Sequence, residues 1–237
     1  MKRYSQKIPG TRRLSAVLIV LVLAAVGCSS DSDDDFRSYR VSVTNLTHNQ
    51  PMSPAAVALH DAGARGWETG AGASTGLEDL AEGGSPTAFL AEAETDPNVF
   101  TTAAGGGAFM PGATTEVEIG TFERGALYVT AASMLVNTND AFTGITSRMV
   151  SGLEVGESWS AMVPAYDAGT EANSEMAGTI PGPAAGGEGF NAARDDRDFV
   201  SIHPGVVTAD DGLANSVLRE THRWDNPVAR IMVTRIE

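Results

Sequence analysis

The sequence is poor in cysteine and, beyond its first few residues, in basic side chains. Cys28 is the only cysteine among 237 residues, so the chain cannot form an intrachain disulfide or a cysteine-based zinc site. From residue 28 onward there is no lysine, and 11 arginines stand against 30 acidic residues, a formal charge of −19. Such a surface repels nucleic acid and anionic lipid headgroups, whereas it favours solubility in salt and the binding of cations.

The first 27 residues have the pattern of a cleavable export signal. A basic start without acids is followed by an apolar run from Leu14 to Val26, which is too short to span a bilayer as a helix. Small residues precede Cys28, as in the bacterial lipobox, so we expect cleavage before Cys28 and lipidation of its thiol. The alternative is an ordinary secretory signal that leaves Cys28 as a free thiol.

Residues 28–35, which follow the predicted cleavage point, are small, polar and acidic. Such a segment cannot bury apolar surface, which predicts a solvated tether between the anchor and a domain that spans residues 36–237. Ser29, directly after the cysteine, resembles the sorting signal of bacterial outer-membrane lipoproteins. The sequence therefore predicts an exported protein, held on the outer membrane through Cys28 and facing the periplasm or the surface.

Alternation of apolar and polar residues dominates the remainder and predicts an all-β fold. The segments with this period, or with the continuous apolar character of a central strand, are 37–46, 54–60, 115–119, 126–136, 158–163 and 228–236. Residues 103–107 are predicted to form a glycine loop, and residues 167–198 a long irregular connection. The pattern predicts one antiparallel β-sandwich with one or two short helices in an early connection.

Two helix starts are marked by serine. Ser74 is placed as the N-cap of a helix that ends at Gly83 and Gly84. Ser85 is placed as the N-cap of a second helix, which has Pro86 in its first turn. Both helices fall between the second and third predicted strands.

Carboxylates and amides are concentrated at two predicted strand ends. Asn139 and Asp140 follow the most apolar strand, and Asp167 and Glu171 follow the strand at 158–163. Because loops at one end of a sandwich cluster in space, we expect these side chains to converge. Calcium takes about six to eight oxygen ligands, several of them carboxylate. The sequence therefore predicts a calcium site at Asp140, Asp167 and Glu171, with Asn139 as a further candidate ligand.

The alternative is that Asp140 and Asp167 only hold their own turns. Gly169 permits the positive φ that a turn between Asp167 and Glu171 would need. The loops do not have the spacing of an EF-hand, and no histidine or cysteine lies near them in sequence. Zinc and redox metals are therefore a poorer match than calcium.

Four stretches resemble the spondin N-terminal domain family, over about residues 36–237. They are Ser53-Pro54 with His60, Leu80–Gly84, Asn139–Phe142 and Tyr166–Glu171. The resemblance implies a β-sandwich related to calcium-dependent phospholipid-binding domains, with one calcium ion held by Asp140, Asp167 and Glu171. The sequence departs from the family pattern in two places, where Glu171 replaces an aspartate and Ala141 replaces a tryptophan.

Three functions remain open. The first is adhesion or binding of an extracellular or envelope ligand, with calcium shaping the loops. The second is a calcium-assisted hydrolase that uses His60 with Glu82 or Asp61, which requires a partly exposed His60 in a cleft, whereas a core histidine would be buried and hydrogen-bonded. The third is a structural envelope lipoprotein without a metal. No serine has the Gly-x-Ser-x-Gly setting of a hydrolase, and the charged run Asp195–Asp198 is interpreted as a solvated face.

Overall fold

The computed structural model describes residues 36–237. The predicted signal, Cys28 and the acidic tether lie outside the described residues, so these predictions stay predictions. Within residues 36–237, no helix combines the length and the apolar character that crossing a bilayer requires.

The described residues form two antiparallel sheets, which confirms the predicted all-β sandwich. The strands are β1 (Arg37–Asn45), β2 (Ala56–His60), β3 (Val99–Ala104), β4 (Thr114–Thr121), β5 (Tyr128–Met134), β6 (Ala141–Met149), β7 (Ser158–Val163), β8 (Ala165–Asp167), β9 (Ser201–Ile202) and β10 (Ala229–Arg235). One sheet has the order β4-β1-β10-β7, and the other has the order β3-β2-β5-β6-β8-β9.

The main core lies between the two sheets and explains the period of two in the sequence. Alternate side chains of β1 and β10 meet those of β2 and β5 there, among them Tyr39, Val41, Val43, Ile231, Val233, Val57, Leu59, Val129 and Ala131. Full burial of one such aliphatic side chain contributes about 1.5–3 kcal/mol. The intervening residues of β1, such as Arg40 and Ser42, point to the other face and pair with acids of β4.

Both predicted helices are present between β2 and β3. α1 spans Thr75–Gly83, and the Ser74 side chain accepts a hydrogen bond from the backbone N–H of Leu77. Gly84 ends α1 in the left-handed conformation, with φ 70°. α2 spans Pro86–Ala93 and is capped by Ser85, as predicted.

The helices cover the outer face of the six-stranded sheet. Leu77 and Leu80 of α1 and Phe89 of α2 pack against Trp67 and Phe142 in a second apolar cluster. The rings of Trp67 and Phe142 meet edge to face, with centroids 5.0 Å apart. This packing holds α1 beside the start of β6. The residue before β6 is Asp140, one of the predicted metal ligands.

The sequence pattern does not predict β3, β6, β8 or β9. β3 is half-buried except at its exposed last residue and shows no alternation, and its last two residues, Ala103 and Ala104, belong to the predicted glycine loop. β8 and β9 have only three and two residues, too few for a period to be visible. Residues 168–198 have no helix or strand, as expected, whereas two short 3-10 helices, Ala209–Asp211 and Glu220–His222, lie between β9 and β10. The connection from β8 to β10 has its own apolar cluster of Ile180, Val206 and Leu218.

The two ends of the sandwich differ in character. At the end where the chain enters β1, Phe36 packs on Phe122 with ring centroids 4.8 Å apart. At the other end of β1, the Asn45 side chain donates to the carbonyl of Gln50 at 2.7 Å. The side-chain oxygen of Gln50 accepts from the backbone N–H of Asn137, which begins the first acidic loop. The acidic loops therefore lie at the end opposite to the chain entry.

Candidate metal centre

The two acidic loops meet, as the sequence predicts. Asp140 Oδ2 accepts three hydrogen bonds from the loop after β8: from Thr170 N at 2.9 Å, Thr170 Oγ1 at 3.3 Å and Glu171 N at 3.2 Å. Because β6 pairs antiparallel with β8, the loop that precedes β6 lies beside the loop that follows β8. One oxygen of Asp140 is thus committed to holding the second loop.

Local hydrogen bonds set the shape of both loops. Thr138 Oγ1 donates to the carbonyl of Leu135 at 2.5 Å and accepts from Ala141 N at 3.1 Å. In the second loop, Asp167 Oδ1 accepts from Gly169 N at 2.8 Å. Gly169 has φ 71°, and a Cβ there would lie 2.4 Å from the carbonyl oxygen of Phe199. Glycine is therefore required at 169 both by the turn and by the chain that crosses over it.

The second oxygen of Asp140 has no hydrogen-bond partner among the described residues. The side chain is fully buried, and its Oδ1 is unpaired. Leaving a buried acceptor unsatisfied costs about 1–3 kcal/mol, and more when it is charged. Burial, together with the negative charge of nearby Asp167, raises the pKa of Asp140 to about 7. Either a proton or a cation would relieve this oxygen.

Glu82 and Glu171 add two carboxyl groups to the same region. Glu82 projects from α1 and is 1% exposed; its Oε2 accepts from Asn191 N at 2.8 Å, and its Oε1 is a second unpaired buried oxygen. Glu171 is 8% exposed, and burial followed by the negative charge of Glu82 raises its pKa to about 8. Burial also raises the pKa of Glu82. The negative charge of Glu82 also raises the pKa of Asp140, so the three acids interact electrostatically.

Asp167, the third predicted ligand, is already paired. Its Oδ2 accepts from Asn173 Nδ2 at 2.8 Å and from Arg197 Nη2 at 3.1 Å. Asp167 is fully buried, whereas the Arg197 side chain is 46% exposed. The guanidinium therefore reaches from the surface and neutralises a buried carboxylate.

A buried histidine fixes the other partner of Asp167. His203 Nδ1 accepts from Gly205 N at 2.9 Å, which leaves Nε2 as the donor to Asn173 Oδ1 at 3.1 Å. The Asn173 amide is thereby oriented with its NH₂ group toward Asp167. Burial lowers the pKa of His203 to about 4, so the ring is neutral at physiological pH.

The Asn139 side chain forms hydrogen bonds with residues 175 and 179 of the following connection, and not only with the acids. Its Nδ2 donates to Thr179 Oγ1 at 2.7 Å, and its Oδ1 accepts from the backbone of Glu175 at 3.2 Å. The side chain therefore anchors residues 174–179 beside the first loop.

The four acids do not form a ready coordination sphere. Within residues 36–237, no group of three or more His, Cys, Asp or Glu side chains is arranged so that it could hold a metal ion as it stands. Two of the predicted ligands nevertheless have the chemistry for it, because Asp140 has an unpaired buried oxygen and Glu171 has the most accessible carboxylate of the four. Asp167 would first have to release Arg197.

His60 lies in a separate region and is fully satisfied. It is 1% exposed, with Nδ1 2.6 Å from the carbonyl of Asp61 and Nε2 2.9 Å from Thr130 Oγ1. The Asp61 carbonyl can only accept, so the His60 proton sits on Nδ1 and Nε2 accepts from the Thr130 hydroxyl, whose oxygen also accepts from Ser147 N. Burial lowers the pKa of His60. The adjoining cavity of about 100 Å³ is small.

This arrangement removes the feature that a hydrolase based on His60 requires. Glu82 is not its partner, since the Glu82 carboxylate bonds to Asn191, and Asp61 contributes a backbone carbonyl. The imidazole is buried and hydrogen-bonded, as expected of a core histidine.

Sequence reasoning missed the arginines at this end of the molecule. The run Asp195–Asp198 was interpreted as a solvated face, and three of its four residues are exposed. Arg197, however, reaches Asp167, and Arg194 binds the buried Glu78 through Nη2 at 2.6 Å. A faint signal was available, because two of only 11 arginines after residue 28 stand within this acidic stretch.

No protein-family model matches this sequence, and no curated protein is significantly similar to it. The resemblance to the spondin N-terminal domain therefore stays a prediction.

Proposed function

We propose that the chain is a membrane-tethered extracytoplasmic binding or adhesion module with a calcium site at the acidic end of its sandwich. The observation that carries the proposal is that two of the unpaired buried carboxyl oxygens among residues 36–237, Asp140 Oδ1 and Glu82 Oε1, belong to the acidic end. Both belong to carboxyl groups that are almost completely buried. Proteins rarely leave such atoms without a partner, and a bound cation would supply one to each.

The donor set favours calcium over other metals. Asp140, Glu82 and Glu171 offer only carboxylate oxygens, and Asp167 would add another once its arginine is released. Hard oxygen donors in irregular loops suit calcium, which tolerates flexible geometry, better than magnesium, which requires a near-ideal octahedron. When bound, the ion would neutralise the acids and hold the two loops in one shape.

The charge of the chain supports the proposed partners. With −19 from residue 28 onward, the domain would be repelled by nucleic acid and by anionic headgroups. Membrane attachment would therefore depend on the acyl group at Cys28, and the acidic end would face an extracellular or envelope ligand. The resemblance to the spondin family supports the same assignment.

Calorimetry with calcium tests the site directly. Residues 36–237 contain all three apolar clusters and suffice for the measurement. We expect heat of binding and a calcium-dependent rise in melting temperature for the wild type and for Asp225→Asn, an exposed control. Both signals should be lost in Asp140→Asn. A wild type without either signal contradicts the calcium site and leaves the metal-free structural role.

The anchor is tested separately in the producing cell. Labelled palmitate should be incorporated into the wild type and should be absent from Cys28→Ala, because only the thiol of residue 28 can carry the acyl group. Equal labelling of the two proteins would refute lipidation at this position. The calcium experiment is unaffected by either result.

A further inference from the structure

The eight residues Asn191–Asp198, here called the strap, cover the acidic region from outside. The strap contains no helix or strand, and most of its residues are exposed. It bonds to three buried acids: Asn191 N to Glu82 Oε2 at 2.8 Å, Arg194 Nε and Nη2 to Glu78 Oε2 at 3.0 and 2.6 Å, and Arg197 Nη2 to Asp167 Oδ2 at 3.1 Å. The strap therefore places an N–H group or a guanidinium where a cation would otherwise be attracted.

Access to the acids depends on the strap. Asp140 and Asp167 are fully buried, Glu82 is 1% exposed and Glu171 is 8% exposed. A hydrated cation cannot reach carboxylates at that depth without displacement of the chain above them. The chain directly above is the strap and its continuation, since the Phe199 backbone lies against Gly169.

We propose that the strap is an internal cationic cover, in which Arg197 competes with a divalent cation for Asp167 and leaves when the cation binds. This inference rests on the proposed calcium site and adds its regulation. Within residues 36–237, no three acids are arranged to hold a metal as they stand. The proposed cover accounts for this, because an arginine already binds Asp167, one of the three predicted ligands.

Two features make the strap displaceable. Its backbone is attached to the second loop by two hydrogen bonds, Asp195 N to Thr170 O at 3.1 Å and Asp198 N to Gly169 O at 2.7 Å. Asp198 also adopts a left-handed conformation, with φ 58°, which is unfavourable for a side chain other than glycine. The strap's other attachments are side-chain bonds: Asp195 Oδ1 accepts from Ala172 N at 2.7 Å, and Arg194 donates to Glu78 and to the Ala73 carbonyl. The exposed end around Arg197 can therefore open locally before the core does, while Arg194 stays bound.

The Arg197 pair is likewise the natural point of exchange. The guanidinium is 46% exposed and returns to water without a large desolvation cost, while its partner carboxylate stays buried and needs a replacement charge. A divalent cation would supply that replacement and would also bind the unpaired Asp140 Oδ1. Exchange of one cation for another thus keeps the buried charge compensated throughout.

Calcium affinity of Arg197 variants tests the competition, with calcium chloride as the titrant. We expect Arg197→Gln to bind calcium about 10-fold more tightly than the wild type, because the competitor and its like-charge repulsion are both removed. Arg197→Lys keeps the charge and should stay within about 3-fold of the wild type. The control is Arg65→Gln, which removes an exposed pair with Glu68 and should leave the affinity unchanged.

Hydrogen exchange separates release of the strap from a fixed electrostatic effect. In the wild type, saturating calcium should speed exchange of the Asp195 and Asp198 amides by about 10-fold, although ion binding ordinarily slows exchange. An unchanged affinity in Arg197→Gln, or strap amides that exchange no faster with calcium, would overturn the proposal. If neither the wild type nor Arg197→Gln binds calcium, the proposed function itself fails.

Discussion

His60 ends β2 and Asp140 directly precedes β6, the two strands that flank β5. Both are buried ionisable residues, yet their surroundings differ in one respect. Both ring nitrogens of His60 have a partner within 3 Å, whereas one carboxylate oxygen of Asp140 has three donors and the other has none among the described residues. Burial lowers the pKa of His60 toward its neutral form and raises the pKa of Asp140 toward its neutral form. The two side chains are equally buried, but only His60 has all its hydrogen bonds satisfied.

The difference separates a structural polar group from a candidate binding group. A buried side chain with all its hydrogen bonds satisfied adds specificity to a core and has nothing left to offer a ligand. A buried carboxylate with one free oxygen is an unfavourable arrangement that persists only where something else compensates for it. Asp140 is therefore a stronger candidate than His60 for a group that binds a ligand.

The largest expected effect is a loss of stability on substitution of His60, whose ring nitrogens both have hydrogen-bond partners. His60→Ala should lower the free energy of unfolding by about 2–4 kcal/mol, because it leaves a cavity and removes the partners of Thr130 Oγ1 and the Asp61 carbonyl. Urea unfolding at pH 7 measures it. His48→Ala, an exposed control, should change stability by less than about 0.5 kcal/mol. A cost for His60→Ala as small as that of the control would break the comparison.

Substitution of Asp140, whose second carboxylate oxygen is unpaired, is expected to change stability by a smaller amount and with the opposite sign. The pKa of Asp140 is raised from 3.8 to about 7, so the folded state retains a proton that the unfolded state has lost. Its contribution to stability is fully present below pH 3.8 and is lost as the pH rises through about 7. Without metal, Asp140→Asn should therefore be more stable than the wild type by about 1–2 kcal/mol at pH 8.5, and nearly equal to it at pH 5.

The matched control for this pH profile is Glu175→Gln. Burial raises the pKa of Glu175 to about 7, so it contributes over the same pH range. Its carboxylate accepts from Val207 N in the long connection and is not one of the four acids. Melting temperatures between pH 5 and pH 8.5, with and without calcium, distinguish the two. Calcium should abolish the alkaline loss that depends on Asp140 and leave the part that depends on Glu175. Loss of both parts with calcium would argue against a local site.

The fold could be predicted from the sequence because its main signals are local. Alternation in β1 and β10 and the serine caps of α1 and α2 each depend on neighbouring residues, and the structure confirms them. Convergence of Asp140 with the loop of Asp167 also followed from a local fact, namely that both come at strand ends.

The rest of the site depends on contacts that no local pattern contains. Arg194 and Glu78 are 116 residues apart, and Asn191 and Glu82 are 109 apart. Glu82 reaches the acids only because the apolar face of α1 packs on the sheet, and nothing in the sequence links that face to the strap. A charged run such as Asp195–Asp198 has the same composition whether it is solvated or covers a buried carboxylate.

The opposition of the two ends of the sandwich has a consequence for how the protein would meet a ligand. Phe36 is eight residues from Cys28, and a fully extended chain of that length reaches only about 30 Å. The nine residues of β1 then span about another 30 Å to the acidic loops. If Cys28 is lipidated, the entry end of the sandwich would stay within about 30 Å of the lipid, whereas the acidic loops lie at the far end of β1.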